Sequence, residues 1–268
     1  MVCFDTPAEQ LLALFSSLAI SLAELSNQFS GVNCEIAVID NATEPLTGIR
    51  ETVANSELGD PDKYRVRLIS GHGNIGYARG HNLAIRKLDS DYHLILNPDV
   101  ILDRNALVQG IAYLEANHNA VLLSPHSADE NGNRQYLCKR YPSVFLFLLR
   151  GFAPGFIRKI FAGPLARFEM RELSGSEPTN KIPIVSGCFM LCRTDALKSI
   201  AGFDPGYFLY FEDFDLSLRM GEIGDIVYLP AMKIVHHGGN SARKGWKHIG
   251  MFLRSGIRFF NGHGWRIF

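Results

Sequence analysis

Three short polar stretches of this sequence carry side chains that could bind a cation or move a proton. Asp99 follows a strongly apolar run, and Glu212 and Asp213 stand side by side where a helical pattern begins. His236 and His237 follow another apolar run. Carboxylate and imidazole groups bind divalent cations, and a positioned carboxylate can remove a proton from a hydroxyl. Each group also has a structural explanation, because carboxylates cap turns and favour helix N-termini.

A glycine-rich stretch, GHGNIG at residues 71–76, has the spacing of the dinucleotide-binding fingerprint. A strand pattern at 64–70 precedes it and a helical pattern follows. The fingerprint normally occupies the first strand–helix turn of its domain, whereas here a strand, a helix and a second strand come earlier. Gly80 also adds a glycine where the following helix should be under way. The stretch therefore disfavours a nicotinamide dehydrogenase, and a purely structural glycine-rich loop is the ordinary alternative.

The predicted elements around these residues alternate between strands and helices. Strands are predicted at 35–41, 64–70, 92–99, 120–124, 182–192 and 226–229. Helices are predicted at 7–29, 78–88, 104–117, 194–200, 212–223 and 242–260. This alternation predicts an α/β fold with a mostly parallel central sheet that helices cover on both faces. Ligands of such sheets bind beyond the carboxyl ends of the strands. The polar residues at those ends are Asp40, Asn41, Asn97 and Asp99.

The composition is that of a globular protein. The chain has 268 residues, of which 47% are hydrophobic and 20% are charged, enough for one large domain or a domain with an appendage. The absence of an apolar run of about 18 residues predicts no transmembrane helix, and the N-terminal residues do not resemble a signal peptide. Five cysteines without a C-x-x-C pair predict buried, reduced thiols.

The net charge is zero, but the charges are unevenly distributed. Residues 1–60 contain nine acidic residues and one basic residue, whereas residues 131–171 contain eight basic residues and one acidic residue. Residues 240–268 contain six basic residues and no acidic one. The basic, aromatic-rich segments 134–171 and 242–268 predict a peripheral membrane surface, although a solvated face of a helical subdomain has the same composition. A nucleic-acid ligand is not expected, because no recognition motif is present.

Six stretches follow one another in the order of a known enzyme family. They are VIDNAT (38–43), GNIGYARGHNLAI (73–85), LILNPDVIL (94–102), VSGCFMLCR (185–193), GFDPGYFLYFEDFDLSLRM (202–220) and YLPAMKIVHHGGNS (228–241). With these stretches the chain resembles the inverting family 2 glycosyltransferases of the GT-A fold. Among these it is most similar to the bacterial dTDP-rhamnosyltransferases of surface-polysaccharide (O-antigen type) assembly. The resemblance covers most of the chain.

The resemblance also implies substrates and a location. The expected donor is a nucleoside diphosphate sugar, favoured as dTDP-L-rhamnose, and the expected acceptor is a saccharide, favoured as polyprenyl-diphosphate-linked. The main alternative is transfer of another hexose or of galactofuranose from a UDP-sugar. A non-catalytic nucleotide-sugar-binding protein is a further alternative, against which the presence of both acids in the 212–213 pair argues. The implied location is cytoplasmic, peripheral on the inner face of the cell membrane.

The same resemblance divides the chain into three parts. Residues 1–125 are expected to form the nucleotide-sugar-binding half of the GT-A domain. Residues 126–241 are expected to form the acceptor-binding and catalytic half. Residues 242–268 are expected to form a small, basic, membrane-facing helical part at the C-terminal side.

A divalent cation, Mg²⁺ or Mn²⁺, is the expected cofactor, because a departing diphosphate gains negative charge. By resemblance, Asp99 is the metal ligand of the family's D-x-D position, whose first acid is replaced by Asn97. An amide oxygen can reach a metal but supplies no charge. His236 is favoured as the supporting ligand, with His237 as its substitute.

The resemblance also implies the catalytic residues. Asp213 would deprotonate the acceptor hydroxyl, and Glu212 would orient the acceptor or assist. The alternative is that both acids merely complement the dipole of the helix that they open.

The donor-binding residues implied by the resemblance come from several stretches. Asp40 would accept the N3–H of uracil or thymine, and glycines would let the backbone approach the donor. Arg79 would pair with the diphosphate, unless it is an ordinary surface residue. Gly187 would lie under the donor or the acceptor sugar. The full set is Asp5, Asp40, Asn41, Asn74, Gly76, Arg79, Asn82, Asn97 and Gly187.

Overall fold

Residues 1–42, 47–238 and 246–268 are described by the computed structural model, in which helices pack around two larger β-sheets and a two-stranded one. The strands are β1 (Val2–Cys3), β2 (Glu35–Asp40), β3 (Arg65–Ile69), β4 (Tyr92–Leu96), β5 (Val100–Leu102), β6 (Ala120–Ala128), β7 (Arg134–Gln135), β8 (Cys138–Lys139), β9 (Ile184–Val185), β10 (Phe189–Arg193) and β11 (Asp225–His236). The helices are α1 (Ala8–Gln28), α2 (Thr47–Ala54), α3 (Tyr77–Ile85), α4 (Ala106–Ala116), α5 (Val144–Phe152), α6 (Gly155–Ile160), α7 (Ala162–Phe168), α8 (Thr194–Ser199), α9 (Glu212–Gly221) and α10 (Trp246–His263).

The first sheet is parallel throughout, as predicted. Its order is β1–β2–β3, with Val2 opposite Ile39 and Glu35 opposite Arg65. The carboxyl ends of parallel strands meet at one edge of a sheet. The polar residues that follow β1 and β2 therefore lie at the same edge.

The second sheet is mixed, which corrects the prediction of a mostly parallel sheet for this part of the chain. Its order is β4–β10–β6–β11–β5, with β7 beside β6. β6 and β11 are parallel, whereas β10 is antiparallel to β4 and β6, and β5 is antiparallel to β11. The strand predicted at 182–192 is two strands, because the chain turns at 186–188 and β9 pairs with β8 outside this sheet. β11 extends well beyond 229 and brings His236 opposite Val100.

Different helices cover the two faces of the second sheet, because neighbouring residues of a strand point to opposite faces. Leu96 and Leu123 belong to a core with α1 and α4. Ile95 and Leu122 belong to a second core with α8, α9 and α10. The predicted α/β class, with helices on both faces of a sheet, is thus confirmed.

α1 is long and apolar enough, by length and composition, to cross a membrane, although the sequence predicted no such helix. Half of its most apolar window is buried in the fold. Leu11, Leu14 and Phe15 are buried in the first core, and the helix contacts α2, α4 and β5. Burial against the domain therefore accounts for its apolar composition.

The C-terminal helix predicted at 242–260 is observed as α10, and residues 239–245 lie outside the described part of the chain. His263 Nε2 on α10 lies 2.8 Å from Asp215 Oδ1 on α9. Arg219 contacts the other oxygen of Asp215 at 2.7 Å. This ionic cluster joins the C-terminal helix to α9.

A buried histidine makes the fold sensitive to acid. The His81 ring packs on Tyr77 and Phe203, with ring centroids 4.5 and 5.6 Å apart. Its Nε2 is buried and has no hydrogen-bond partner among the described residues. Burial lowers the pKa of His81 well below its usual value. Below about pH 6.5 the unfolded chain therefore binds a proton that the folded chain does not, so stability is lost as the pH falls.

We expect His81 to lower the free energy of unfolding by about 2 kcal/mol between pH 7 and pH 5. In His81→Leu this pH dependence should shrink by that amount, even if the variant is less stable at pH 7. Urea unfolding at both pH values measures the difference. The exposed His118, changed to Gln, is the control and should retain the full pH dependence. An equal pH dependence in all three proteins would contradict the prediction.

Candidate active site

The Asp213 carboxylate is held at the start of α9 by two backbone groups. Gly187 N–H donates to Oδ2 at 3.0 Å, and Phe214 N–H donates to Oδ1 at 2.9 Å. A Cβ at position 187 would lie only 3.2 Å from the Asp213 Cβ, so glycine permits this close approach. Burial raises the pKa of Asp213, and the backbone N–H groups act in the opposite direction. The geometry leaves a half-buried carboxylate fixed in one orientation.

The neighbouring Glu212 is buried, and its Oε2 has no hydrogen-bond partner among the described residues. Burial, and then the charge of Asp213, raise the pKa of Glu212 well above its usual range. Two adjacent buried carboxyl groups titrate as a pair, and the group with fewer donors takes the proton first. Glu212 is therefore the member of the pair that holds a proton more strongly, and Asp213 is the one that loses it more readily. Such a division supplies a hydrogen-bond donor beside a base.

The backbone just before this acidic pair is strained. Tyr210 and Phe211 have φ angles of 70° and 65°, a left-handed conformation that is costly for residues with a side chain. The Tyr210 hydroxyl lies 3.0 Å from His248 Nδ1 on α10. The Phe211 ring lies 5.0 Å from the ring of Phe252, also on α10. The C-terminal helix thus holds the turn that positions the acids.

Tyr77 joins the acidic pair to the exit of β4. Its hydroxyl lies 2.7 Å from the Gly187 carbonyl oxygen and 3.0 Å from Asn97 Oδ1. The Asn97 N–H donates to the Cys188 carbonyl at 2.8 Å. Burial raises the pKa of Tyr77 well above its usual value, and Glu212, Asp213 and Asp99 add to this effect. The charges of the three acids therefore all disfavour ionisation of the Tyr77 hydroxyl.

Asp99 and His236, the two predicted metal ligands, lie side by side. His236 Nε2 is 3.4 Å from Asp99 Oδ2. Gln135 donates from Nε2 to the His236 carbonyl at 2.8 Å, which turns its Oε1 towards His236 Nδ1 at 2.9 Å. Nδ1 therefore carries the proton in neutral His236, and the Nε2 lone pair faces a carboxylate. Two acceptors in this arrangement favour a positive charge between or beside them.

The residues present fit a divalent cation that is also held by its substrate. Burial raises the pKa of Asp99, but a hydrogen bond from His236 in its protonated form, the charges of His236 and His237 and a backbone hydrogen bond outweigh it, and the pKa is lowered. Asp99 Oδ1 is buried without a hydrogen-bond partner among the described residues. Within residues 1–42, 47–238 and 246–268, no group of three or more His, Cys, Asp or Glu could hold a metal. Two protein ligands suit Mg²⁺ or Mn²⁺ sites that phosphate oxygens and water complete.

His237 is turned away from this pair. Its ring Nδ1 contacts Glu130, and its backbone N–H donates to the Asp99 carbonyl at 2.9 Å. The structure thus places His236, rather than its neighbour, beside the Asp99 carboxylate.

The glycine-rich stretch forms a braced loop before α3. The Gly76 N–H donates to Asn74 Oδ1 at 3.0 Å, and Asn41 Nδ2 donates to the Gly76 carbonyl at 3.0 Å. Gly76 has a φ of 86°, and a side chain there would collide with the Phe208 backbone. Asn41 Oδ1 is buried and has no hydrogen-bond partner in the described part of the chain. The loop therefore lies against the end of β2, where donor contacts are predicted.

Four of the residues that were predicted to bind the donor contact other parts of the protein or are exposed to solvent. Asn82 Nδ2 donates to the Phe203 carbonyl at 2.8 Å, and Asn82 Oδ1 accepts the Phe203 N–H at 3.0 Å, so Asn82 positions this part of the backbone. Arg79 Nε donates to the Pro205 carbonyl at 2.8 Å. Asp40 is buried, and its Oδ1 accepts the N–H of residue 42 at 3.0 Å. Asp5 is exposed, with a φ of 49°.

Sequence reasoning missed Tyr77, Gln135 and the strained turn. Tyr77 lies inside the quoted stretch GNIGYARGHNLAI, so a signal existed, although nothing distinguished it from its neighbours. Gln135 lies in a two-residue strand about a hundred positions from His236, and no pattern connects them.

The chain matches a known family over most of its length. Residues 15–201 match the profile described as Glycosyl transferase family 2. The chain is 29% identical over 201 residues to Rhamnosyltransferase WbbL of Escherichia coli. This match covers 71% of this chain and 72% of that protein. It is 28% identical over 193 residues to N-acetylglucosaminyl-diphospho-decaprenol L-rhamnosyltransferase of Mycobacterium tuberculosis. That match covers 66% of this chain but only 60% of the relative's length.

Solved structures share the fold. Mannosyltransferase PcManGT from Pyrobaculum calidifontis, in complex with GDP-Man and Mn²⁺, is similar with a TM-score of 0.58 and 16% identity, over 96% of this chain and 63% of that one. S. aureus TarS 1-349 is similar with a TM-score of 0.56 and 16% identity, over 98% and 72% of the two chains. GalNAc-T7 with UDP, GalNAc and Mn²⁺ has a TM-score of 0.56 at 12% identity, over 85% of this chain and 41% of that one. These likenesses confirm the predicted GT-A-like fold.

Tyr77→Phe should destabilise the fold by about 1–2 kcal/mol, because the buried Gly187 carbonyl loses its donor. Tyr113→Phe removes a hydroxyl whose bond to Asn180, at 3.3 Å, is exposed, and should change stability by less than about 0.5 kcal/mol. Urea unfolding of both variants measures these values. Equal losses in the two variants would mean that the Tyr77 hydroxyl does not brace the site.

Proposed function

Because the chain belongs to glycosyl transferase family 2, we propose that it transfers L-rhamnose from dTDP-L-rhamnose to a polyprenyl-diphosphate-linked saccharide, with inversion at the anomeric carbon. Glycosyltransferase activity follows from the family. The choice of rhamnose and of a lipid-linked acceptor is supported by the names of the E. coli and M. tuberculosis relatives. It places the protein in bacterial surface-polysaccharide synthesis.

The observation that carries the mechanism is the unequal hydrogen bonding of the two acids. Glu212 Oε2 has no hydrogen-bond partner among the described residues, whereas the Asp213 carboxylate accepts from two backbone N–H groups and is only half-buried. In the proposed reaction it takes the proton of the acceptor hydroxyl as that oxygen attacks the anomeric carbon in line with the leaving group. Glu212 keeps its own proton and donates a hydrogen bond that orients the acceptor. In-line attack by the acceptor itself inverts the configuration.

Asp99 and His236 are the residues that would hold the divalent cation, Mg²⁺ or Mn²⁺. When bound, the cation neutralises charge on the departing nucleoside diphosphate. Gln135 keeps the His236 Nε2 lone pair available, and Asp99 contributes the negative charge. The amide oxygen of Asn97 lies 3.0 Å from the Tyr77 hydroxyl oxygen, so its contribution is positional.

The donor is proposed to lie along the ends of β1 and β2 and the glycine-rich loop. Asp40 would accept the N3–H of the base. Asn41 Oδ1, which has no hydrogen-bond partner among the described residues, would accept a hydrogen bond from the nucleoside. Asn74 and Gly76 shape the loop that approaches the diphosphate. Gly187 would lie beneath the reacting sugar.

We also propose a peripheral position on the inner face of the membrane. Exposed apolar side chains are concentrated on α5, α6, α10 and the residues after α10. They are Leu148, Phe156, Ile160, Leu253, Ile257, Trp265, Ile267 and Phe268. Basic residues of the same helices accompany them, which is the combination that binds an anionic bilayer surface.

Asp213→Asn should lower transfer by roughly a hundredfold to ten-thousandfold, because it removes the general base. Binding of dTDP should be unchanged in this variant. The wild-type rate should fall at low pH as Asp213 takes a proton, and again at high pH as Glu212 loses one. Glu212→Gln, which keeps a donor at 212, should remove mainly the high-pH decline. Transfer assays across pH and calorimetric titration of dTDP measure these effects, and normal turnover by Asp213→Asn would refute the assignment.

Mn²⁺ should increase the thermal stabilisation of the protein by dTDP, because cation and nucleotide bind together to the folded state. Asp99→Asn and His236→Gln should lose this Mn²⁺-dependent increment. His237→Gln is the matched control and should keep it. The same thermal-shift panel with UDP and GDP tests the base: stabilisation by UDP alone would replace the rhamnose proposal with the UDP-sugar alternative.

A further inference from the structure

A second concave site lies beside the candidate active site, between α3, residues 203–208 and α10. The cavity has a volume of about 430 Å³. Three arginines line it, Arg79 from α3 and Arg254 and Arg258 from successive turns of α10. Phe208 and Met251 provide apolar surface in the same cavity.

Protein groups neutralise only part of this positive charge. Arg258 is paired with Asp204, with contacts of 2.7 and 3.1 Å. The only side-chain hydrogen bond that Arg79 makes within the described residues is from Nε to the Pro205 carbonyl. The Arg254 side chain has no hydrogen-bond or ion-pair partner in the described part of the chain. Two guanidinium groups are therefore available to an anionic ligand.

The arrangement suits a diphosphate that carries an apolar group. Guanidinium groups bind phosphate oxygens in a bidentate manner, and several of them around one space suit more than one phosphate. Phe208 and Met251 would contact an apolar substituent. Leu253 and Ile257, which precede Arg254 and Arg258 in α10, are 51% and 53% exposed and extend the apolar surface outward.

The cavity is connected to the candidate active site through Phe208. Its backbone carbonyl accepts the Tyr77 N–H at 2.8 Å, and the Tyr77 hydroxyl lies beside Gly187, which holds Asp213. The donor diphosphate is proposed to lie at the Asp99–His236 cation site. The cavity is therefore suited to a different diphosphate.

We propose that this cavity binds the diphosphate of an isoprenoid-diphosphate-linked acceptor and so presents the acceptor sugar to Asp213. The inference rests on the proposed function for the identity of the acceptor. It assigns Arg79, which resemblance had linked to the donor, to the acceptor side together with Arg254.

Geranyl diphosphate, a soluble isoprenoid diphosphate, is the probe. It is titrated calorimetrically into the full chain with EDTA, which removes any cation at Asp99. We expect binding that is tighter than that of inorganic diphosphate, because Phe208 and Met251 contact the prenyl group. Arg254→Gln and Arg79→Gln should each weaken it about tenfold or more. Arg86→Gln removes an exposed arginine outside the cavity and should bind like the wild type.

Two further titrations separate this site from other anion sites. Binding of dTDP with Mn²⁺ should be unaffected by Arg254→Gln; a parallel loss would assign the cavity to the donor and overturn the proposal. Phosphatidylglycerol vesicles test a lipid headgroup as the source of phosphate. Phe156→Ser, at a 68% exposed position, should weaken vesicle binding but not geranyl diphosphate binding. Displacement of geranyl diphosphate by vesicles, lost in Arg254→Gln, would assign the cavity to headgroups and overturn the proposal.

Failure of this inference is distinguishable from failure of the proposed function. A wild-type protein that binds dTDP but not geranyl diphosphate would overturn the inference and leave the donor half of the function standing. A protein that binds geranyl diphosphate in an Arg254-dependent manner, but no nucleotide, would support the cavity and overturn the proposed function.

Discussion

The site depends on the burial of one ionised carboxylate against a glycine. Asp213 loses water when α9 packs on the turn between β9 and β10, and the N–H groups of Gly187 and Phe214 replace that water. They fix the orientation of the carboxylate and favour its charged form beside Glu212, whose Oε2 has no hydrogen-bond partner among the described residues. A Cβ at position 187 would lie 3.2 Å from the Asp213 Cβ and 3.3 Å from the Tyr77 hydroxyl oxygen, so these neighbours would have to shift to accommodate a side chain. The proton distribution within the acidic pair therefore follows from backbone packing rather than from further charged residues.

Three buried oxygen atoms around the site lack partners among the described residues: Asn41 Oδ1, Asp99 Oδ1 and Glu212 Oε2. A buried polar atom without a hydrogen-bond partner typically costs about 1–3 kcal/mol, so folded proteins leave few of them. Each of the three lies where a different part of the reaction is proposed: the nucleoside, the cation and the acceptor. In the free protein these three atoms therefore lack hydrogen bonds that bound ligands would supply. The free energy gained when those bonds form can be used to orient the substrates.

Hydrophobic periodicity was sufficient to predict the α/β class and the polar strand ends, because burial dictates both. It could not separate the apolar run 182–192 into two strands, since a turn at its centre leaves the apolar pattern unchanged. Resemblance led to His236, but the orientation of its ring is set by Gln135, which is distant in sequence. The role of Tyr77 depends on tertiary contacts that no local sequence pattern indicates. The left-handed backbone at Phe211 opposes its intrinsic preference and exists only because the surrounding fold imposes it.

The contacts of that turn with α10 have a consequence for biosynthesis. Tyr210 and Phe211 are translated well before their restraints, His248 and Phe252, which lie about forty residues later in the chain. Until α10 leaves the ribosome, the left-handed turn lacks these two restraints, and only contacts with earlier residues such as Phe147 oppose its relaxation. Truncation of the chain before α10 would therefore weaken the alignment of the two acids while retaining every residue proposed to move a proton or bind the cation. Genetic screens would record such lesions as loss of function far from the chemistry.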